Sequence, residues 1–258
     1  MDSHARPEPR ILQSMKSIRI GTAGWNVPAP QAHRGGILGS HLERYATAMN
    51  CVEVNSSFYR RHRPQTWKKW AAVTPADFQF AVKAPKTITH TAKLQNCTDT
   101  LAQFFEEVAG LGEKLGPVLF QFAPSHVFDL GAVRDFLGTL REMHLSSVAF
   151  EPRNASWYTS DTNRLLCEYH ITRVAADPPK GSTMGAKPGG LAGFRYYRLH
   201  GSPRTYWSAY DSAQIGSLAV ELCSPEPGEN WVIFDNTAAG AAFKNALDLM
   251  ELCWAFIR

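Results

Sequence analysis

The sequence predicts an α/β protein built as a single (β/α)8 TIM-type barrel. Three observations carry that expectation. Eight short runs rich in β-branched and aromatic residues recur along the chain. Between them lie segments with apolar residues at three- and four-residue steps, the alternation expected of a parallel sheet with crossover helices. The length, 258 residues, matches the ~250 that one such barrel occupies. The barrel domain is expected over 17–258, with the polar, proline-bearing stretch 1–16 as a disordered tail.

The strands are expected at 18–23, 51–55, 78–83, 118–122, 148–151, 172–175, 196–200 and 231–235. A weak helix over 40–49 follows the first run. Pro64 suits a first helical position and opens a helix bearing Trp67 and Trp70. Leu101, Phe104, Phe105, Val108, Leu111 and Leu115 mark one face of the next helix, and Val133, Phe136, Leu137 and Leu140 that of the one after. Two weaker segments, 161–169 and 209–222, precede a last helix carrying Ala242, Ala246, Leu249, Met250, Cys253, Trp254 and Ile257. One unit is irregular: 178–194 is rich in glycine and proline where a helix should lie. It reads as a long loop, and loops of that length are usually functional or mobile.

Composition excludes several classes. The five cysteines are widely spaced with no CxxC pair, which argues against a disulfide framework or a structural zinc. No run of about 18 apolar residues exists to span a membrane. The first residues lack the apolar stretch of a signal peptide, so a cytoplasmic protein is expected and its three Asn-x-Ser/Thr triplets read as chance. The net charge of +4 is scattered rather than gathered into a basic face. A small anionic ligand suits that balance, whereas nucleic-acid binding is not favoured.

Alternate side chains of a barrel strand face the helices and the interior. Placing the bulky residues against the helices sends Glu53 and Asn55, Lys83, Gln121, Glu151 and Arg153, Asp177, and Arg198 and His200 inward. Either Asp235 or Asn236 follows from the last strand, and Asn236 is taken as the contact residue. All fall at C-terminal strand ends, where barrel enzymes keep their active sites. The competing reading is that these groups are salt bridges plugging the barrel, since buried charges must be paired. Recurrence at the same end of six strands favours the functional one; Arg19 and Arg173, at the other end, read as structural. No Walker loop, GxGxxG, HExxH or GxSxG is present. Trp25 in the glycine-flanked exit Gly21–Trp25, His90 after the third strand, and Trp157 after the fifth are further candidates for substrate contact, each with a packing role as its alternative.

Read together, GTAGW (21–25), EVNSSFY (53–59), FAVKAPKTITH (80–90), LGPVLFQFAPS (115–125), FEPRNASWY (150–158), YYRLHG (196–201) and FDNT (234–237) resemble the YecE-like family, domain of unknown function 72. The motifs keep the family's order and span nearly the whole chain. The resemblance implies a TIM-barrel-type fold and no settled activity. Three segments depart from the family pattern: NVPAPQAHRGGILG after Trp25, Asp235-Asn236 in place of a double asparagine, and the short glycine-rich 178–194.

Three functions compete. The leading one is a cofactor-independent hydrolase, lyase or isomerase for a small anionic or sugar-like substrate. Lys83, Arg153 and Arg198 would hold the anion, and Glu53, Glu151, Asp177 and His200 would transfer protons. Lys83 also admits Schiff-base chemistry. The runner-up is a divalent-metal phosphodiesterase or isomerase using Glu53, Glu151, Asp177 and His200, although interleaved cations would repel a metal. The third is a non-catalytic ligand- or nucleic-acid-binding barrel. Oligomeric state is left open by the sequence.

Overall fold

The computed structural model describes residues 18–224 and 228–257; the expected tail, 1–16, lies outside them. The strands are β1 (Ile18–Thr22), β2 (Cys51–Val54), β3 (Gln79–Lys83), β4 (Leu115–Gln121), β5 (Val148–Glu151), β6 (Ile171–Arg173), β7 (Ala175–Asp177), β8 (Gly189–Gly190), β9 (Phe194–Leu199) and β10 (Glu229–Phe234). The helices are α1 (His41–Ala46), α2 (Ser56–Tyr59), α3 (Pro64–Ala72), α4 (Thr98–Val108), α5 (Leu130–Met143), α6 (Ser160–Glu168), α7 (Ser212–Leu222) and α8 (Ala241–Ile257). Helix starts follow local chemistry. Ser40 with Glu43 and Asp211 with Gln214 form capping boxes on α1 and α7, Pro64 occupies the first turn of α3, and Asp129 caps α5.

The strands form a TIM-type α/β fold in two parallel arcs, ordered β2-β3-β4-β5-β6-β8 and β1-β10-β9-β7, with only β8 running antiparallel to its neighbour β6. The arcs meet twice. At one seam, Ala23 bridges Glu53, and the Gly24 amide donates to the Glu53 carbonyl at 2.9 Å. Gly21 permits that approach, because a Cβ there would sit 2.2 Å from the Cys51 carbonyl oxygen. At the other seam the chain itself crosses between arcs at Val174, joining β6 to β7.

Both arcs enclose one interior cluster. Cys51, Ala81, Leu119, Ala149, Val174, Phe194, Tyr196, Trp231 and Ile233 fill it, with Trp231 stacked parallel to Tyr196 at 6.3 Å. A larger apolar layer, including Val52, Phe80, Phe120, Phe150, Tyr197, Leu199 and Phe234, packs between the strands and the helices. Each fully buried Phe contributes roughly 1.5–3 kcal/mol of transfer free energy. These two side-chain sets alternate along β2, β3, β4, β5, β9 and β10.

Three expectations need correction. The sixth strand splits in two at Val174, where β6 hands over from β5 to the β9 side. Leu115 belongs to β4 rather than to a helix, because α4 gives way to a 3-10 segment, Ala109–Lys114, with Gly112 at φ 56°. The 178–194 segment is not wholly irregular: it holds a 3-10 turn, Thr183–Ala186, and β8. Among the described residues no helix is long and apolar enough to cross a membrane.

Candidate active site at the C-terminal mouth

Along β9, Phe194 and Tyr196 face the interior while Tyr197 and Leu199 face the helices. The same alternation turns Arg198 inward and, one step past the strand, His200. Arg198 is fully buried and holds three carboxylates. Its Nε and Nη2 donate to Glu53 Oε2 and Oε1 at 3.0 and 2.7 Å, its Nη1 to Glu151 Oε2 at 2.7 Å, and its Nη2 also to Asp235 Oδ2 at 3.0 Å. Tyr196 completes the set by donating its hydroxyl to Glu53 Oε2 at 2.9 Å. Burial opposes the guanidinium charge, but Glu151, Glu53 and Asp235 outweigh it and hold Arg198 above its ordinary pKa.

His200 forms a second bridge. Its Nδ1 lies 3.0 Å from Asp235 Oδ2 and its Nε2 3.0 Å from Glu151 Oε1. Burial disfavours its charge, yet Glu151 and the two hydrogen bonds prevail, so the imidazole pKa is raised. Two carboxylate acceptors require both nitrogens to carry protons. Arg153, at the rim, donates from Nη2 to Glu151 Oε1 at 3.1 Å. Against the penalty of burial, Arg198 and His200 hold the Glu151 carboxyl well below its ordinary range, and the same two groups lower that of Asp235.

Lys83 stands apart. It closes β3 at 6% exposure, with its backbone carbonyl accepting from Ser57 Oγ at 2.7 Å. Its Nζ lies over the Phe58 ring, 4.2 Å from the centroid, and has no hydrogen-bond or ion-pair acceptor among the described residues. Burial, with Arg198 adding to it, pushes its pKa down to about 8. Gln121, in register with Glu151, brings a buried amide to the same level. Asn55 follows Glu53 at the end of β2, and its buried Oδ1 is unpartnered. His90 sits half-buried on a π-helical turn, Thr87–Thr91, edge-on to Phe58 at 5.1 Å.

Of the expected residues, Glu53, Lys83, Glu151, Arg198 and His200 converge, and Asn55, His90, Gln121 and Arg153 surround them. Four do not join. Asp177 is in register with Leu199, so it faces the helix side; the inward residue of β7 is Ala176, beside Arg198. Trp157 is fully buried in the outer layer, stacked on Phe122 at 4.6 Å and donating Nε1 to the His126 carbonyl. Trp25 packs edge-on against Trp70 of α3 at 5.0 Å. Asn236 donates to the Ser208 carbonyl and to Asn245 Oδ1, each at 3.0 Å, tying the strand exit to α8.

Asp235 takes the place that phasing left open. Trp231 and Ile233 face the interior, so alternation sends Asp235 inward and Asn236 away. Phe58, Tyr196 and Tyr206 were also not anticipated. Tyr206, at φ 70° in the loop after β9, sets its ring edge-on to His200 at 5.7 Å and its phenol beside Arg153. Only the left-handed backbone at Tyr206 brings it there, and no apolar period announces such a residue.

The donor set does not suit a metal. All three carboxylates are committed to Arg198, whose guanidinium occupies the space between them. Among the described residues no group of three or more His, Cys, Asp or Glu is arranged to hold an ion. Asp177, which the metal reading needed, points elsewhere.

A TIM-type barrel with a buried charge network at its C-terminal mouth is thus the class that fold and geometry define. Residues 19–255 match the family described as Protein of unknown function DUF72. The chain belongs to that family. YunF of Bacillus subtilis (strain 168), a UPF0759 protein, is 25% identical over 272 residues, covering 91% of this chain and 94% of YunF. YecE of Escherichia coli (strain K12) is 35% identical over 127 residues, 48% of this chain, so the match spans only 44% of YecE. The DUF72 family protein EF0366 of Enterococcus faecalis V583 superimposes with a TM-score of 0.75 at 22% identity, covering 92% of this chain and 95% of that one. TM1631 of Thermotoga maritima MSB8 gives 0.70 at 24%, covering 91% and 98%. These structures share the fold.

Proposed function

We propose that the protein is an enzyme acting on a small anionic or hydroxylated substrate by acid–base chemistry at the C-terminal mouth. One observation carries this reading: Lys83 is only 6% exposed and its ammonium, open to the mouth, has no protein acceptor, beside carboxylates already committed to other cations. Four cationic groups (Lys83, Arg153, Arg198 and His200) face three carboxylates, and the excess positive charge lies on the side open to solvent. An incoming anion supplies the missing partner.

The geometry also supports a division of roles within the cluster. Glu53, Glu151, Arg198 and His200 have every charged atom engaged in hydrogen bonds, so they form the scaffold that positions the site. Two groups keep a free reactive atom: Lys83 Nζ, and Asp235 Oδ1, whose sister oxygen Oδ2 alone meets Arg198 and His200. A lysine near pKa 8 exchanges protons close to neutrality. Asp235, kept ionised in part by Lys83, is the candidate acceptor. Lys83 and Asp235 are the proposed acid–base pair, with Arg153, Gln121, Asn55 and His90 as substrate contacts.

The test is a thermal-shift screen of hydroxy acids, sugar phosphates and uncharged sugars against wild type and Lys83→Met. Ligand at 100 times its Kd adds about 2.7 kcal/mol and lifts the melt by several degrees. Anionic compounds should stabilise wild type and fail with Lys83→Met, and a turned-over hit should lose turnover in Asp235→Asn. Equal shifts from uncharged sugars in both proteins would overturn the anionic reading.

A further inference from the structure

We infer, resting on the reading above, that the arc of the mouth between β3 and β5 is a binding site for a dianionic phosphate group, as carried by a phosphate monoester, with Lys83, Arg153 and His90 as its donors.

The mouth is electrically two-sided. Its carboxylates, Glu53, Glu151 and Asp235, all turn toward Arg198 and His200. Up to Asp129, whose carboxylate caps α5, the segments leaving β3, β4 and β5 bring only cationic or neutral groups. Lys83 ends β3, Lys86 opens the turn that carries His90, His126 follows β4, and Arg153 follows β5. Burial lowers the His90 pKa, and the charges that act on it most are positive: Lys83, Arg153, His126 and Lys86. Like charges gathered without an anion are unfavourable, and a bound anion relieves all of them at once.

The free donors have a definite count and placement. Lys83 Nζ has no acceptor. Arg153 Nε is buried and unpartnered, although Nη2 reaches Glu151. His90 engages Thr89 Oγ1 through Nδ1 at 2.9 Å, leaving Nε2 open. The Phe58 ring joins two of the three, with Lys83 over its face and His90 at its edge. His126 is set apart by its packing, its ring edge-on to Phe122 and Trp157 with Nδ1 3.3 Å from the Thr89 carbonyl, and Lys86 is exposed. Lys83 and Arg153 bring two positive charges and His90 a third donor, with the Gln121 amide on the strand between, one donor group for each terminal oxygen of a tetrahedral anion. A phosphate monoester offers three terminal oxygens and, with a second pKa near 6, close to two charges at neutral pH.

Calorimetric titration with inorganic phosphate, sulfate and acetate at fixed ionic strength and pH 7.5 tests the inference. Phosphate should bind about tenfold tighter than acetate, the worth of one more charge-assisted hydrogen bond. Sulfate, of the same shape and charge, should compete with phosphate, a comparison that needs no variant. His90→Gln, at a half-buried position bonded only to its neighbour, should weaken phosphate by several fold and leave acetate unchanged. In wild type, phosphate should raise the NMR titration midpoint of the ring signal that His90→Gln removes. Equal binding of phosphate and acetate, both lost in Lys83→Met, would overturn the dianion site and leave the anionic reading standing. Binding of none of the three ions would overturn both.

Discussion

Arg198 and Glu53 meet fork to fork: two parallel hydrogen bonds of 3.0 and 2.7 Å join a guanidinium and a carboxylate that are both wholly buried. The pair crosses the barrel interior, since β9 and β2 lie in different arcs. It therefore staples the two arcs through their core, near the seam where Ala23 and Gly24 meet the Glu53 backbone.

Arg198→Lys should expose how much rests on that fork. A lysine carries the charge but cannot serve Glu53 bidentately while reaching Glu151 and Asp235. Removing one partner of a buried ion-pair network costs about 3–5 kcal/mol. Urea unfolding of the variant should show a midpoint lowered accordingly. A loss under about 1 kcal/mol would mean that the apolar core alone holds the arcs together.

Glu151→Gln separates sequence from structure. If Glu151 served a ligand, the substitution would leave the melt unchanged or higher and abolish binding. The geometry gives it another role, because its carboxylate meets Arg198, His200 and Arg153 at 1% exposure. An amide leaves two buried cations short of charge, and the expected loss is again about 3–5 kcal/mol. An unchanged thermal melt would return Glu151 to the reacting set.

The network also sets a pH optimum for stability. His200 has its pKa raised above 6.5, so its stabilising contribution is complete below that value and fades as pH rises through the folded value. Glu151 and Asp235 are lowered from 4.5 and 3.8, so theirs is complete above those values and is lost only as pH falls through the depressed ones. These three groups together contribute most between pH 4.5 and 6.5. His200→Gln should flatten the alkaline decline in unfolding free energy while leaving the acid limb in place. An unaltered alkaline limb would show that His200 is neutral in the fold.

The barrel, its eight-strand rhythm and most of the inward polar residues were legible because bulky residues alternate cleanly in β2, β3 and β5, and Leu199 phases the end of β9. Phasing failed where that contrast vanished. In β10, Trp231, Val232, Ile233 and Phe234 are all large, so apolarity alone does not say whether Asp235 or Asn236 turns inward. In β6 and β7 the inward set is Thr172, Val174 and Ala176, two of them small or polar, and Asp177 was assigned to the wrong face. Separating scaffold from reactive groups lay beyond the sequence altogether. That division depends on which oxygen of Asp235 meets Arg198 and on Lys83 having no acceptor, both products of the strand register around the barrel.

Lys83 supplies the most discriminating prediction. Its pKa falls from 10.5 to about 8, with burial the largest cause. The folded state therefore binds its proton more weakly than the unfolded chain does. Below pH 8 the charged, buried ammonium costs stability; as pH rises from 8 to 10.5 that cost disappears, because both states end up neutral. The shift corresponds to roughly 3 kcal/mol as an upper figure. Lys83→Met keeps the aliphatic stem against Phe58 and removes the charge, so it should stabilise the protein at pH 7, by an amount that shrinks toward pH 10. A residue kept at a cost to the fold marks a functional site, since stability alone would replace it. Chemical denaturation of wild type and Lys83→Met across pH 6–10 measures the difference. If Lys83→Met is instead less stable at pH 7, Lys83 is a structural counter-ion for Glu53, Glu151 and Asp235, and the acid–base role proposed for it fails.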